Sequence, residues 1–273
     1  MAMSDLLSNP TQRKASRLAE RLQALGTAVV LIGLWEAVVW LFRVESYIAP
    51  APSAIAQAAW KGIERGIYPA NIAATVIAML IGFVIGSAGG IALGIIVAEY
   101  KKLERIAYPY LVVFQSVPKV ALAPLFVMWF GYGLVSKVVM VASICFFPLL
   151  VNTVTGLQSA DKDRLDMVRT MTATRWQIFY HVKLPSAAGA IFAGLQVAIV
   201  LSLFGTLISE FVGSDHGLGN LITASQSTLD TAGMFVVLAI LGAIGVIATS
   251  IVRFAQRRVV FWERRSRDTL AAE

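Results

Sequence analysis

The chain has 273 residues, of which 58% are hydrophobic and 14% are charged, and its formal net charge is +7. Soluble domains average about half apolar and about a quarter charged residues, so this composition is typical of a membrane protein. The single cysteine excludes an intrachain disulfide, and two histidines leave too few ligands for a catalytic or metal site, so we expect neither on this chain.

Six apolar runs approach the length of about 20 residues that a helix needs to cross a bilayer. They cover residues 25–42, 72–98, 107–130, 134–157, 187–209 and 232–254. The first follows a polar, basic stretch and precedes no small-residue cleavage site, so we interpret it as a retained span. The prediction is an all-α polytopic membrane protein, with a cytoplasmic segment at 1–24, a six-helix transmembrane domain at 25–257 and a cytoplasmic tail at 258–273.

The basic residues are distributed unevenly between the connections. Of the 23 Lys and Arg residues, 18 lie before the first run, after the second, after the fourth and after the sixth. The opposite side is assigned Arg43, Lys61, Arg65 and Lys137, and Lys119 lies inside the third run. Cytoplasmic loops carry the excess of Lys and Arg, so both termini are predicted to be cytoplasmic. Anionic lipid accounts for this charge, and no basic patch is interleaved with stacking aromatics, so no nucleic-acid partner is expected.

The second run carries four glycines at a spacing of four residues: Gly82, Gly86, Gly90 and Gly94. This spacing aligns them on one stripe of a helix, where another helix backbone can approach closely. Glycine is also common in membrane helices in general, which is the alternative explanation. We favour an interface between helices.

Ionisable residues inside spans are functional hypotheses. Lys119 follows Pro118 within the third run, where it would meet an anionic substrate, snorkel, or pair with a carboxylate such as Glu36 of the first run. Glu210 lies at the outer end of the fifth run. Pro118 and Pro124 are expected to break the third helix, and the freed carbonyls favour a pathway or a hinge.

The connection between the fourth and fifth runs contains DMVRTMTATRWQIFYHVKLP, residues 166–185. Ser159 and Asp161 are candidate N-caps of a short amphipathic helix, whose apolar positions Leu165, Val168 and Met171 recur every three residues. A second helical turn follows, with Trp176, Phe179, Tyr180 and Lys183 at helical spacing. Pro185 is expected to break the pattern just before the fifth span. So short a helix needs support from either the membrane surface or a partner protein.

This segment resembles the cytoplasmic signature of ABC importer permeases, which is EAA, three residues, Gly, nine residues and I-x-L-P. RTMTATRWQIFYHVKLPSA is similar to the common form RTLGAS, RWQIF and V-x-LPAA. The differences are Asp166, Met167 and Val168 in place of EAA, Thr172 in place of Gly, and Val182 in place of Ile. Because glycine tolerates a positive φ, either the turn here accepts an L-residue or the loop bends differently.

Three further stretches extend the resemblance over nearly the whole chain. YIAPAPSAI, YPYLVVFQSVPKVALAPLFVMWFGYGLVSKV and ISEFVGSDHGLGNLI are similar to segments of permeases of the nitrate, sulfonate and taurine type. The resemblance implies a permease subunit in the bacterial cytoplasmic (inner) membrane, acting as a homodimer with two cytoplasmic ATPases and an extracytoplasmic solute-binding protein. The sequence has no G-x-x-x-x-G-K-[ST], so ATP and Mg would bind the ATPase, and we expect no cofactor on this chain.

By the same resemblance, the short helix is a coupling helix that sits in a groove of the ATPase. The implied coupling residues are Asp166, Met167, Val168, Arg169, Met171, Thr172 and Pro185. Val168 and Met171 would supply apolar knobs, and Pro185 would fix the angle at which the chain enters the fifth span. The predicted pathway residues are Pro118, Lys119, Glu36 and Glu210.

The rival interpretation is a secondary transporter or channel that works alone. Such proteins often contain internal repeats with paired broken helices, and we detect no convincing repeat between the halves of the sequence. The resembled group handles oxyanions, sulfonates and nitrogenous aromatic compounds, and the sequence does not choose among them.

Overall fold

The structure is a computed structural model that describes residues 10–262. Every regular element in this range is helical, which confirms the all-α prediction for the described residues. The α-helices are α1 (Pro10–Leu41), α2 (Pro52–Glu64), α3 (Ile67–Glu99), α4 (Lys101–Ser116), α5 (Ala123–Phe130), α6 (Leu134–Gln158), α7 (Lys162–Thr170), α8 (Arg175–Ile178), α9 (Leu184–Gly213), α10 (Leu218–Ser227) and α11 (Thr231–Val259).

Four helical segments in the described range are long and apolar enough to cross a membrane. They are α3, α6, α11 and the run Arg175–Gly213, which contains α8 and α9. These segments coincide with the second, fourth, fifth and sixth predicted spans, which are therefore confirmed as apolar helices of sufficient length. The first predicted span falls in α1, whose apolar part, Gly26–Leu41, is shorter. Because α1 begins at Pro10, no boundary separates 10–24 from the apolar part, while 1–9 and 263–273 lie outside the described residues.

The third predicted span, 107–130, is not one helix. Helix α4 ends at Ser116, Val117 is extended, a 3₁₀ turn spans Lys119–Leu122, and α5 then begins. Proline disfavours the helical conformation of the residue before it, so Pro118 accounts for the break. The predicted break at Pro118 is confirmed. The predicted break at Pro124 is wrong, because Pro124 lies in the first turn of α5, where a missing N–H costs nothing.

The chain forms two compact units. The first contains the described part of Met1–Arg65 together with Ser225–Val236. Within it, the Glu36 carboxylate accepts hydrogen bonds from the backbone N of Ser53 at 3.0 Å and from Ser53 Oγ at 2.8 Å. Ser53 is in the first turn of α2, where unpaired N–H groups and the helix dipole favour a negative charge. Glu36 therefore caps α2.

The second unit, which contains Gly66–Ala224 and the described part of Val237–Glu273, is built on α3, α6 and α9. The glycine stripe of α3 faces α6. A Cβ added at Gly82 would lie 2.5 Å from Val141 Cβ, and one at Gly94 would lie 2.7 Å from Thr153 Cβ. Added Cβ atoms at Gly86 and Gly90 would overlap the α6 backbone. The prediction of a close helix interface is confirmed.

Helix α9 also packs against α6. Val141, Cys145 and Leu149 of α6 form a fully buried cluster with Ala198 of α9. The thiol of Cys145 donates to the carbonyl of Ala198 at 3.3 Å, so the single cysteine is enclosed between the two helices. Because α6 contacts both neighbours tightly, α3, α6 and α9 form the central framework of the second unit.

Replacing Gly90 by alanine should destabilise the protein, because the new Cβ would lie 2.9 Å from Leu149 Cβ and against the α6 backbone. We expect a loss of about 1–3 kcal/mol, as for other overpacked cores, measured as a lower melting temperature in detergent. Gly89→Ala is the matched control, because its Cβ would meet only the Phe146 ring at 3.5 Å. A Gly90→Ala variant that melts no lower than Gly89→Ala would contradict the close-contact interpretation.

Candidate functional site

Helix α7 begins at a capped terminus. The Asp161 carboxylate accepts a hydrogen bond from the backbone N of Asp163 at 2.9 Å, which satisfies one of the unpaired donors of the first turn. Ser159, the other candidate cap, belongs to the end of α6, where its hydroxyl donates to the carbonyl of Gly156 at 2.8 Å. Asp161 is the N-cap of α7.

Helix α7 ends in a turn that normally requires glycine. Thr172 N donates to the carbonyl of Arg169 at 3.0 Å, and Ala173 N donates to that of Val168 at 3.4 Å. This pair of hydrogen bonds is the Schellman arrangement, which places the residue after the C-cap in the left-handed region. That residue is Thr172, with φ +60°. The first alternative from the sequence is therefore correct: the turn keeps its shape and accepts a β-branched L-residue.

The solvent-facing part of α7 carries two exposed methionines. Met167 is 60% exposed and Met171 is 72% exposed, and their separation of four residues places them side by side along the helix. Val168 is half-buried, so the exposed apolar pair is Met167 with Met171 rather than the predicted Val168 with Met171. Exposed Asp166 and Arg169 form an ion pair of 2.9 Å beside them. We call Asp166, Met167, Arg169 and Met171 the α7 surface.

The chain continues from α8 into α9 without a break. Thr174 and Gln177 form a capping box that starts α8, and a π-helical turn, Phe179–Lys183, joins α8 to α9. The prediction that Pro185 breaks the helix is wrong. An α-helix would force the Pro185 ring against the carbonyl four residues earlier, and the wider π turn that precedes it relieves this clash. Pro185 lies in the first turn of α9, within one helical run.

Two contacts fasten the π turn to the spanning helices. Phe179 is buried in a cluster with Leu157 of α6 and with Ala187 and Ile191 of α9. The Lys183 ammonium pairs with the carboxylate of Glu99, the last residue of α3, at 2.7 Å. The segment that follows α7 is therefore held to all three framework helices.

A second constellation surrounds Glu210, near the end of α9. Glu210, Lys137 of α6 and Thr75 of α3 are at most 5% exposed. Glu210 Oε1 accepts from Lys137 Nζ at 3.2 Å and from Thr75 Oγ1 at 2.9 Å. Glu210 Oε2 accepts from the backbone N of Gly219 at 2.8 Å. We call Thr75, Lys137, Glu210, Gly217 and Gly219 the Glu210 cluster.

The cluster holds the loop between α9 and α10 in place. Lys137 Nζ donates to the carbonyl of His216 at 2.7 Å, and the backbone N of Leu218 donates its hydrogen bond to Thr75 Oγ1 at 2.8 Å. Gly217 has φ +136°, and a Cβ there would overlap the Glu210 carboxylate. A Cβ at Gly219 would lie 2.8 Å from Glu210 Cβ. The GLG sequence is explained by this close approach of the loop backbone to a buried carboxylate.

Sequence reasoning missed the role of Lys137 because it assigned this residue to the outer connection. The available signal was its place inside the fourth apolar run, where a lone ammonium needs a buried partner. Glu210, at the outer end of the fifth run, was that partner.

The four predicted pathway residues do not share a common set of contacts. Pro118 is exposed, and the half-buried Lys119 that follows it points its ammonium at the Phe147 ring, 5.1 Å from the centroid, a cation–π distance. Glu36 caps α2 within the first unit, and Glu210 pairs with Lys137. The pairing of Lys119 with Glu36 stays a prediction.

Residues 90–261 match the family described as binding-protein-dependent transport system inner membrane component. The chain belongs to this family. The riboflavin transport system permease protein RibX of Chloroflexus aurantiacus is 34% identical over 87% of this chain and 88% of its own length. The formylaminopyrimidine transport permease protein ThiX of Halalkalibacterium halodurans is 30% identical over 87% of this chain and 94% of its own length.

A putative aliphatic sulfonates transport permease protein, SsuC of Bacillus subtilis, is 27% identical over 85% of this chain and 84% of its own length. The chain is thus an ABC permease of the type that includes sulfonate and taurine transport proteins. The fold agrees: an inward-facing structure of the MetNI methionine ABC transporter superposes with a TM-score of 0.52 at 22% identity, over 78% of this chain and 97% of that one.

Replacing Thr172 by glycine should stabilise the end of α7, because glycine adopts a positive φ without a steric cost. We expect a gain of about 1 kcal/mol, measured as slower hydrogen exchange of the α7 amides. Thr170→Gly is the control, since the last helical position favours threonine over glycine and its exchange should accelerate. Equal effects at the two positions would argue against strain at Thr172.

Removing either member of the buried ion pair should be costly, and removing both should cost less than the sum of the two single losses. Glu210→Gln and Lys137→Met each leave an uncompensated partner, for which we expect a loss of about 3–5 kcal/mol. The double variant should lose less than the sum of the two, by an interaction energy read from melting temperatures in a double-mutant cycle. Arg169→Gln, which breaks an exposed pair, should cost about 1 kcal/mol or less. Strict additivity would contradict a direct interaction.

Proposed function

We propose that this chain is the membrane-spanning subunit of an ATP-driven importer, and that it carries a small solute from an extracytoplasmic binding protein into the cytoplasm. The ATP would be hydrolysed, with Mg, by two separate cytoplasmic ATPases bound to a homodimer of this chain. The observation that carries the proposal is the α7 surface, an exposed methionine pair on a short helix joined directly to a spanning run. The family membership supports the same assignment.

The α7 surface has the properties of a docking element. Methionine side chains are flexible and polarisable, which suits them to irregular apolar grooves on a partner. Burying each one would contribute about 1.5–3 kcal/mol before the cost of ordering it. The adjacent Asp166 and Arg169 charges would fix the orientation of the contact rather than its strength.

The path from α7 into the membrane is short and stiff. The Schellman turn at Thr172 and the capping box at Thr174 leave few residues without hydrogen-bonded backbone between α7 and α8. From Arg175 the chain is helical as far as Gly213. A displacement of α7 by a closing ATPase would therefore pass into α9 and, through Lys183 and Glu99, into α3. This is the mechanical role that we assign to residues 162–183, which we call the coupling segment.

The pathway residues remain part of the proposal. Lys119 follows the break between α4 and α5, and no carboxylate in the described chain pairs with its ammonium, so it is available to a passing anion. Pro118 maintains the break. Glu36 and Glu210 would contribute indirectly, since their oxygens are engaged by Ser53 and by the Glu210 cluster respectively.

The solute class is proposed from the relatives. Their names specify riboflavin, formylaminopyrimidine and aliphatic sulfonates, all small compounds, two of them nitrogenous aromatics. We propose that this chain transports a sulfonate, an oxyanion or a small nitrogenous or aromatic organic compound. The proposed location is the bacterial inner membrane with both termini cytoplasmic, which the distribution of Lys and Arg supports.

The double substitution Met167→Arg and Met171→Arg tests the proposal. The variant should no longer co-purify with the co-expressed cognate ATPase, because two charges cannot enter an apolar groove of that partner. Cells that express the variant should also lose solute uptake. Met167→Leu with Met171→Leu keeps the apolar volume and should retain both activities.

Two outcomes would overturn the assignment. One is an arginine variant that binds the ATPase and supports uptake as the leucine variant does. The other is solute accumulation in proteoliposomes that contain this chain alone, which would favour the secondary transporter or channel.

A further inference from the structure

A cavity of about 320 Å³ opens at the end of α3. Its walls are Ile95 and Ile96 from the last turns of α3 and Phe179 from the π turn, and its rim carries Tyr100, Arg175 and Trp176. Phe179 is buried and Ile95 is half-buried, whereas Tyr100, Arg175 and Trp176 are exposed, so the cavity is apolar at its base and aromatic and charged at its mouth. This volume is at the lower end of the range for small-ligand pockets, which suits part of an amphiphile rather than a large solute.

The charge at the mouth is positive. Glu99, the acidic residue of the lining, is neutralised by Lys183 at 2.7 Å. In the described part of the chain, no carboxylate lies within ion-pair distance of Arg175, whose side chain is exposed. A guanidinium presents a planar fork of donors that matches a phosphate group. The mouth of the cavity thus favours an anionic headgroup.

The aromatic rim indicates the depth of the cavity relative to the bilayer. Tyr100 is 63% exposed and Trp176 is 70% exposed, at the terminus of a helix long enough to span. Exposed Trp and Tyr rings at such positions lie at the level of the lipid headgroups. The Trp176 ring is stacked on the Tyr180 ring, with centroids 5.9 Å apart, so the two rings form one aromatic surface.

The geometry points to a binding site for an anionic phospholipid, whose phosphate pairs with Arg175 while one acyl chain lies against Ile95, Ile96 and Phe179. A soluble partner is a poorer fit, because Ile95 and Ile96 lie about 6–8 Å further along α3 than Tyr100, on the membrane side of the aromatic rings. Occupancy by this lipid joins the end of α3 to α8, which belongs to the proposed coupling segment. The site itself does not depend on the proposed function.

Photo-crosslinking of the full-length chain in nanodiscs tests the site. The probes are phosphatidylglycerol and phosphatidylcholine with the same photoactivatable acyl chain, and the labelled peptides are identified by mass spectrometry. We expect the phosphatidylglycerol probe to label residues 95–100 and 175–179 about fivefold more than the phosphatidylcholine probe, the ratio that corresponds to about 1 kcal/mol for one basic side chain. Arg175→Gln should remove this preference.

Two further variants separate the site from general surface effects. Arg164→Gln removes an exposed arginine of α7 that pairs with Asp161 at 3.7 Å, and it should leave the labelling unchanged. Ile96→Trp fills the cavity and keeps Arg175, so it should reduce labelling by both probes at an unaltered melting temperature. If Ile96→Trp does not fold, Ile96→Phe takes its place in the same measurement.

Three results would overturn the inference. The first is equal labelling by the two probes, and the second is an undiminished preference in Arg175→Gln. The third is loss of all labelling at residues 95–100 and 175–179 when the co-expressed ATPase is bound, which would identify the cavity as a protein contact in the assembled transporter.

Discussion

The close approach of α3 to α6 is the constraint on which the rest of the second unit depends. Lipid tails are as apolar as the side chains that they would replace, so the hydrophobic effect does not drive spanning helices together, and van der Waals contact between backbones must do so. The four glycines of α3 permit that contact, because added Cβ atoms would overlap α6 or press against it. The positions of Thr75 and Lys137 on these two helices, and hence the Glu210 cluster, follow from it.

Polar contacts also join the framework helices at both of their ends. Lys183 and Glu99 join the π turn to α3, and Lys137, Thr75 and Glu210 join α3, α6 and α9 near the loop that precedes α10. The Lys137–Glu210 pair is buried, and such a pair contributes little net stability although breaking it is costly, whereas Lys183 and Glu99 are partly exposed. The glycine contacts bring α3 and α6 together, and the polar contacts join the ends of the framework helices.

Elements governed by local chemistry were predictable from the sequence. Four long apolar runs form helices that are long and apolar enough to span, the spacing of four between glycines indicated the right face of α3, and Asp161 caps α7 as expected. The failures concern residues whose neighbours are distant in the chain. The count of basic residues assigned Lys137 to an outer connection, and its partner Glu210, 73 residues away in the sequence, was not recognised. Pro185 was expected to end a helix, because no sequence pattern predicted the π turn that precedes it. Whether Met167 or Val168 is the more exposed depends on the rotation of α7 about its own axis, which the spacing of apolar residues alone does not specify.

Because Cys145 is buried, the native protein can be labelled at introduced cysteines for spectroscopy. The thiol is fully enclosed and engaged with the Ala198 carbonyl, so maleimide reagents that react with exposed thiols would leave it intact. A cysteine introduced at any accessible position of α7 could then carry a fluorophore or spin label without prior removal of native thiols. In the proposed homodimer, distances between such labels on the two copies would report the proposed motion of α7 with every native residue of the framework in place.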